Sequence, residues 1–328
     1  MKVNYYFRNP DPGNFSIENI FHTVQDELKN DIEKNNFFVE NPLDIRAIYK
    51  VSKLTADLHH ITGAVNYLSL GLPVARTILT VHDVGHYIHT LKGISKYIYG
   101  MIYWKIPPIR RNYLTAISEF TKAQLVNLLN LDASRITVIP NPLPSYFQSI
   151  PKVFNYDTPT ILQIGRGANK NVESLIEAVE GLRCKLLLIR PPDDWLVKLL
   201  TQKKIDFQFR SGLDQKGIAQ AYADSDLIFF ASTYEGFGMP ILEGQAVGRP
   251  VITSNVAAMP EVLKVKNSGH LVNPYSIEEI RNGILKICKE PAYRDELIGN
   301  GYRNICHFEK NKIASEYLSL YHKIINGI

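Results

Sequence analysis

Two glutamates, Glu235 and Glu243, bracket the string Gly236-Phe237-Gly238-Met239-Pro240. Pro240 suits the first turn of a helix, where its missing amide would have had no partner, and Gly248 with Pro250 ends that helix. Glycines at 236 and 238 let the backbone approach a ligand closely. The amides around Phe237–Met239 then stand at a helix N-terminus, where N–H groups and the helix dipole both favour an anion. A diphosphate site is the chemistry this string can build, with Glu235 in the loop and Glu243 in the first turns facing the same end of a sheet. A second string, Gly165-Arg166-Gly167-Ala168-Asn169-Lys170-Asn171, carries two cations behind another glycine turn. Elsewhere His82-Asp83 and Asp57-Leu58-His59-His60 place polar groups at the ends of apolar runs.

These residues need strand ends to hold them. Short apolar runs alternate with helical periodicity along the chain, the signature of βα units on a parallel sheet. The runs Val3–Phe7, Ile45–Val51, Leu58–Ile61, Thr77–Val81, Leu114–Ile117 and Thr137–Ile139 read as strands, with helices over Ile17–Leu28 and Lys122–Leu129. The proline-rich stretch from Pro140 to Pro151 can continue neither a helix nor a central strand and reads as a linker. The pattern then restarts, with strands Thr160–Ile164, Lys185–Ile189, Asp206–Phe209, Asp226–Phe230 and Val251–Thr253. Helical periodicity covers Asn171–Val179, Ile277–Lys289 and Ile313–Ile325. The fold class is α/β: two Rossmann-like doubly wound domains divided at 150/151, their strand carboxyl ends expected to face one interdomain cleft.

With the strand before it and Gly248-Arg249-Pro250-Val251-Ile252 after it, Glu235-Gly-Phe-Gly-x-Pro-x-x-Glu243 resembles the hallmark of GT-B glycosyltransferase family 4. Gly165-Arg166 with Lys170-Asn171 is similar to the same family's pyrophosphate motif. The resemblance implies a retaining transferase that takes a hexose from a UDP- or GDP-linked donor. Glu235 would meet the sugar hydroxyls, Glu243 the ribose, and Arg166 and Lys170 the pyrophosphate, alongside Gly165, Gly236, Phe237, Gly238 and Met239. Fixed cations there stabilise the leaving diphosphate in the transition state and replace a divalent metal, and no Asp-x-Asp string is present. By the same resemblance His82 would touch the donor sugar near the reacting carbon, or else merely cap its strand. Gly13 resembles the glycine loop after the first strand. His60 and Asp83 would line the acceptor side, and residues 310–328 would return to the first domain, leaving 151–309 as the donor domain. Ser118-Glu119 resembles a helix start of the family and reads equally as an N-cap.

The chain has 328 residues, 45% of them hydrophobic, and a net charge of +5. That mild basic bias suits an anionic ligand and is too small to indicate nucleic acid. No apolar run approaches the roughly 20 residues of a membrane span, and the first residues are unlike a signal peptide. Cys184, Cys288 and Cys306 show no metal spacing and are expected as reduced, buried thiols in the cytoplasm. His82, His86 and His89 lack the thiolates or paired carboxylates of a zinc site. Basic and aromatic residues alternate over Leu91–Arg111, which fits either an anionic membrane surface or a helix packed with snorkelling lysines. No Gly-x-Gly-x-x-Gly follows a strand, against a dehydrogenase. A phosphorylase of the pyridoxal type would need a longer chain. The acceptor is expected to be a glycan or lipid-linked sugar in bacterial surface-polysaccharide assembly, at the inner membrane face. The alternative is a non-catalytic partner subunit that binds the nucleotide sugar.

Overall fold

The computed structural model describes residues 1–9, 16–39, 44–85, 87–88, 93–105 and 113–327. The chain divides into two compact units, Met1–Pro144 with Phe308–Ile328, and Ser145–His307. The division falls earlier than the expected 150/151 for a packing reason. Phe147 sets its ring edge-on against Tyr222, and Ile150 exchanges bonds with Val247 and Arg249, so the end of the linker belongs to the second unit.

The first unit holds a parallel sheet of six strands: β1 (Lys2–Arg8), β2 (Glu33–Val39), β3 (Leu58–Ile61), β4 (Thr77–Val81), β5 (Tyr113–Ala116) and β6 (Ile136–Val138). Their order is β2-β1-β3-β4-β5-β6. Alternation along β1 feeds two cores: Val3, Tyr5 and Phe7 on one face, Tyr6 on the other. The first face is covered by helix α1 (Ser16–Glu27) and by the helix Lys310–Asn326, which contributes Ile313, Tyr317, Tyr321 and Ile324. The second face packs against the segments that include Ala47, Leu68 and Tyr103.

The second unit repeats the design with β7 (Thr160–Ile164), β8 (Lys185–Ile189), β9 (Asp206–Arg210), β10 (Leu227–Phe230), β11 (Val251–Ser254) and β12 (His270–Val272). All pair in parallel, in the order β12-β11-β10-β7-β8-β9. Strands covered on both faces read as near-continuous apolar runs, as in Lys185-Leu-Leu-Leu-Ile189 and Leu227-Ile-Phe-Phe230. The direction of winding reverses between β1 and β3 in the first sheet and between β7 and β10 in the second. Such reversals are where doubly wound sheets open a crevice at their carboxyl edge.

Three expectations change. Ile45–Val51 is helix α2, not a strand: Asp44 caps it by accepting from the Arg46 amide at 2.9 Å, and its buried residues Ala47 and Val51 are one turn apart. The edge strands β2 and β12 lie outside the expected set, because one opens on the polar run Glu33-Lys-Asn-Asn36 and the other has three residues. Of the cysteines Cys184 is buried, but Cys306 is exposed.

Candidate functional site

Glycine ends β7 where the chain must turn left. Gly165 has φ +100°, and a Cβ there would come within 2.9 Å of Lys170 Cε, so the lysine stem runs back across the bare glycine. A short 3-10 turn over Ala168–Lys170 then leads into helix α3 (Val172–Val179). The run Asn169-Lys170-Asn171 stitches this turn to the loop after β10, across the point where the sheet reverses. Thr233 N donates to Asn169 O at 2.8 Å, and Asn169 Nδ2 donates to Tyr234 O at 3.0 Å. Asn171 Nδ2 donates to Ala231 O at 3.0 Å and to Pro274 O at 2.7 Å.

Within that frame Lys170 Nζ donates to Glu235 Oε1 at 2.6 Å, and Asn169 Nδ2 approaches the same oxygen at 3.3 Å. The Lys170 and Glu235 side chains keep 22% and 17% of their exposure, so the pair is accessible but poorly screened. The ammonium also stands 5.2 Å from the centroid of Phe230. Arg166 is exposed on the same turn.

The loop after β10 runs into helix α4 (Met239–Val247), with Pro240 in its first turn. Gly238 precedes it at φ +137°, where a Cβ would lie 3.0 Å from Ile241 Cδ1. No side-chain hydrogen bond caps this helix start, and Ile241 N donates to Gly238 O at 3.0 Å. Gly236, Phe237 and Gly238 are buried, and Met239 is half-buried. Glu243, one turn into the helix, accepts from Tyr222 Oη at 2.5 Å. Burial pushes its carboxyl up to about 7, against the Tyr222 bond and the Lys170 charge, which both favour the anion. Lys170 therefore acts on both carboxylates of the motif. Asn169, Tyr222 and Phe230 are not read as site residues from the sequence: Asn169 lies inside a quoted string and Phe230 at the end of an expected strand, but nothing in local sequence marks Tyr222.

The first unit places its candidates differently. His82 follows β4, and its Nε2 lies 2.7 Å from Thr62 O. A carbonyl can only accept, so Nε2 carries the proton and Nδ1 remains as the acceptor of the ring. Burial lowers the His82 pKa, which keeps the imidazole neutral at pH 7. Asp83 is exposed, and its Oδ1 accepts from Gly85 N at 2.8 Å, a turn-forming bond. His60 does not line a surface. It is fully buried, with Nδ1 2.7 Å from Tyr321 Oη and Nε2 2.7 Å from Thr80 Oγ1, so both ring nitrogens are committed inside the core. Gly13, His86 and His89 lie outside the described residues. Ser118 is an N-cap, accepting from Thr121 N at 3.0 Å.

In the basic, aromatic stretch, residues 91–92 and 106–111 also lie outside the described set. Within the rest, Tyr103 and Trp104 are core residues, whereas Ile94 and Tyr97 keep 79% and 67% of their exposure. Among the described residues no helix is long and apolar enough to cross a membrane.

A family model described as Glycosyl transferases group 1 matches residues 147–304, and one described as Glycosyltransferase Family 4 matches residues 9–145. O-antigen chain mannosyltransferase B of Escherichia coli is 22% identical over 270 residues, 75% of this chain and 70% of that protein. Across that protein and the next two relatives, the chain spans 63–70% of their length. Among solved structures, sucrose-phosphate synthase from Thermosynechococcus elongatus has a TM-score of 0.79 at 17% identity, with all of each chain covered. Anabaena HepE in complex with UDP and glucose has a TM-score of 0.77 at 14% identity, covering 98% of this chain and 100% of that one.

Proposed function

The chain belongs to glycosyltransferase family 4 and has the GT-B fold, and on that premise we propose that it moves a hexose from a UDP- or GDP-linked donor to a glycan or lipid-linked acceptor. The transfer proceeds with retention and without a divalent metal. The carrying observation is the Lys170–Glu235 pair at the reversal point of the second sheet, beside Arg166 and a helix start without a side-chain cap. Donor pyrophosphate takes Lys170, Arg166 and the helix amides, and Glu235, released from the ammonium, receives sugar hydroxyls. As the bond from the anomeric carbon to the phosphate oxygen breaks, negative charge grows on the diphosphate. The two cations hold that charge more tightly in the transition state than before it. The acceptor oxygen bonds the anomeric carbon from the same face, and its proton passes to the departing phosphate. Neutral His82 offers Nδ1 to a sugar hydroxyl.

The hexose is favoured by the mannosyltransferase relative and by the UDP and glucose held by HepE. Exposed Ile94 and Tyr97, with Lys96 between them, suit the surface of an anionic membrane on the cytoplasmic side. Calorimetric titration with UDP, GDP and ADP, in chelator and alongside Arg166→Ala, tests the donor site. One nucleotide should bind without metal and lose affinity in the variant. No binding by any of the three would remove the donor-site reading.

A further inference from the structure

We infer that Tyr222 is a positioning residue for nucleotide-sugar recognition, acting through Glu243, an inference that rests on the donor-site reading proposed above. Tyr222 lies on the helix Gln215–Asp224, is fully buried and belongs to neither motif string. Its hydroxyl donates to Glu243 Oε2 at 2.5 Å. Phe147 meets its ring edge-on at 5.4 Å, and Tyr146 packs on Phe147 at 4.6 Å. Close-packed rings hold the phenol in one orientation, and the phenol in turn holds the carboxylate. With Oε2 engaged from the protein side, the remaining lone pairs of Glu243 are presented to the ligand. That arrangement suits two adjacent hydroxyls, each donating, as in the ribose of a nucleotide.

The same bond controls which form of Glu243 the ligand meets. The groups that face it are Tyr222 from its helix, Tyr146 from the segment leading into the second unit, and Lys170 from the turn after β7. Burial favours the neutral acid, while the Tyr222 bond and the Lys170 charge favour the carboxylate. A neutral acid has one oxygen that donates and is a poorer acceptor for a diol. Removing the Tyr222 hydroxyl therefore loosens the side chain and shifts it toward the wrong form.

The test measures affinity for UDP-glucose and GDP-mannose across the neutral and alkaline range. Both are diesters of diphosphate with no phosphate proton to lose near neutral pH, and the readings stop at mildly alkaline pH, below the titration of the uracil and guanine N–H groups. The intact protein should bind one of them more weakly as pH falls through about 7. Tyr222→Phe should weaken binding about tenfold at neutral pH and move that midpoint upward, with affinity recovering at alkaline pH. Glu243→Gln should bind weakly with a flat profile. If Glu243→Gln binds as the intact protein does, the ribose reading of Glu243 fails. If Glu243→Gln binds weakly but Tyr222→Phe, folded by thermal melting, keeps both the affinity and the midpoint, this inference alone is overturned. A flat profile in the intact protein overturns it too, whether or not the phenylalanine variant folds.

Discussion

Lys170 serves two carboxylates, bonded to Glu235 and near enough to oppose the rise that burial causes in the Glu243 pKa. Its stem depends on the missing side chain of Gly165. Gly165→Ala is expected to add about 1–3 kcal/mol of backbone strain and to push the ammonium off its seat. Calorimetry with the bound nucleotide should then read a loss of about tenfold, with a lower melting temperature. A folded variant with full affinity would take Lys170 out of the donor site. The motif residues are legible in sequence because each lies in one contiguous string whose spacing constrains its partners. Tyr222 is not legible, since its bond to Glu243 joins different helices. His60 is misread for a related reason: a polar residue at a strand end resembles a site lining, and its decisive partner, Tyr321, is 261 positions away.

Helices carry their own account of what was readable. Ile45–Val51 offers two turns rich in β-branched and aromatic residues, so local propensity points to a strand. The Asp44 cap and the four-residue spacing of Ala47 and Val51 decide for helix, and both are weak signals in so short a window. Arg249 is a stronger structural device than its place in the family string suggests. Buried at 4% exposure, it donates to Ala223 O, Ser225 O, Val247 O, Gly248 O and Ile150 O, closing two helix ends and fixing the linker. Arg249→Met leaves several buried carbonyls without donors and should cost about 3–5 kcal/mol, read as a fall in denaturation midpoint. Near-native stability would show that those carbonyls find other donors. For the helix Gly93–Tyr99, Ile94→Asp with Tyr97→Ser should abolish co-sedimentation with vesicles rich in phosphatidylglycerol while leaving nucleotide affinity intact. Equal sedimentation of both proteins would remove this helix as a membrane contact.

At the scale of the whole molecule, buried groups of opposite sign shape the response to acid. Burial lowers His59 to about 4 and His60 to about 3, and lowers His82 as well, all in the first unit. Their folded pKa lies below the unfolded value near 6.5, so the unfolded chain binds more protons and stability is lost as pH falls from about 6.5 toward 3. Glu243 has the reverse sign. Its folded pKa is raised to about 7, so its contribution to the second unit is lost as pH rises from the ordinary carboxylate value toward 7. His270 of the same unit, lowered by burial, has the sign of the first-unit histidines. Scanning calorimetry between neutral and mildly acid pH should move the first unit down, and His60→Gln should reduce that slope. A first unit whose transition stays fixed over that range, or keeps its slope in His60→Gln, would contradict these assignments. The C-terminal helix adds a constraint of timing. Tyr5, Phe21 and His60 pack against Tyr317 and Tyr321, which lie beyond the entire second unit in the chain. A growing chain therefore completes Ser145–His307 first, and the unit whose residues emerge first closes last, its aromatic core waiting open for a helix not yet made.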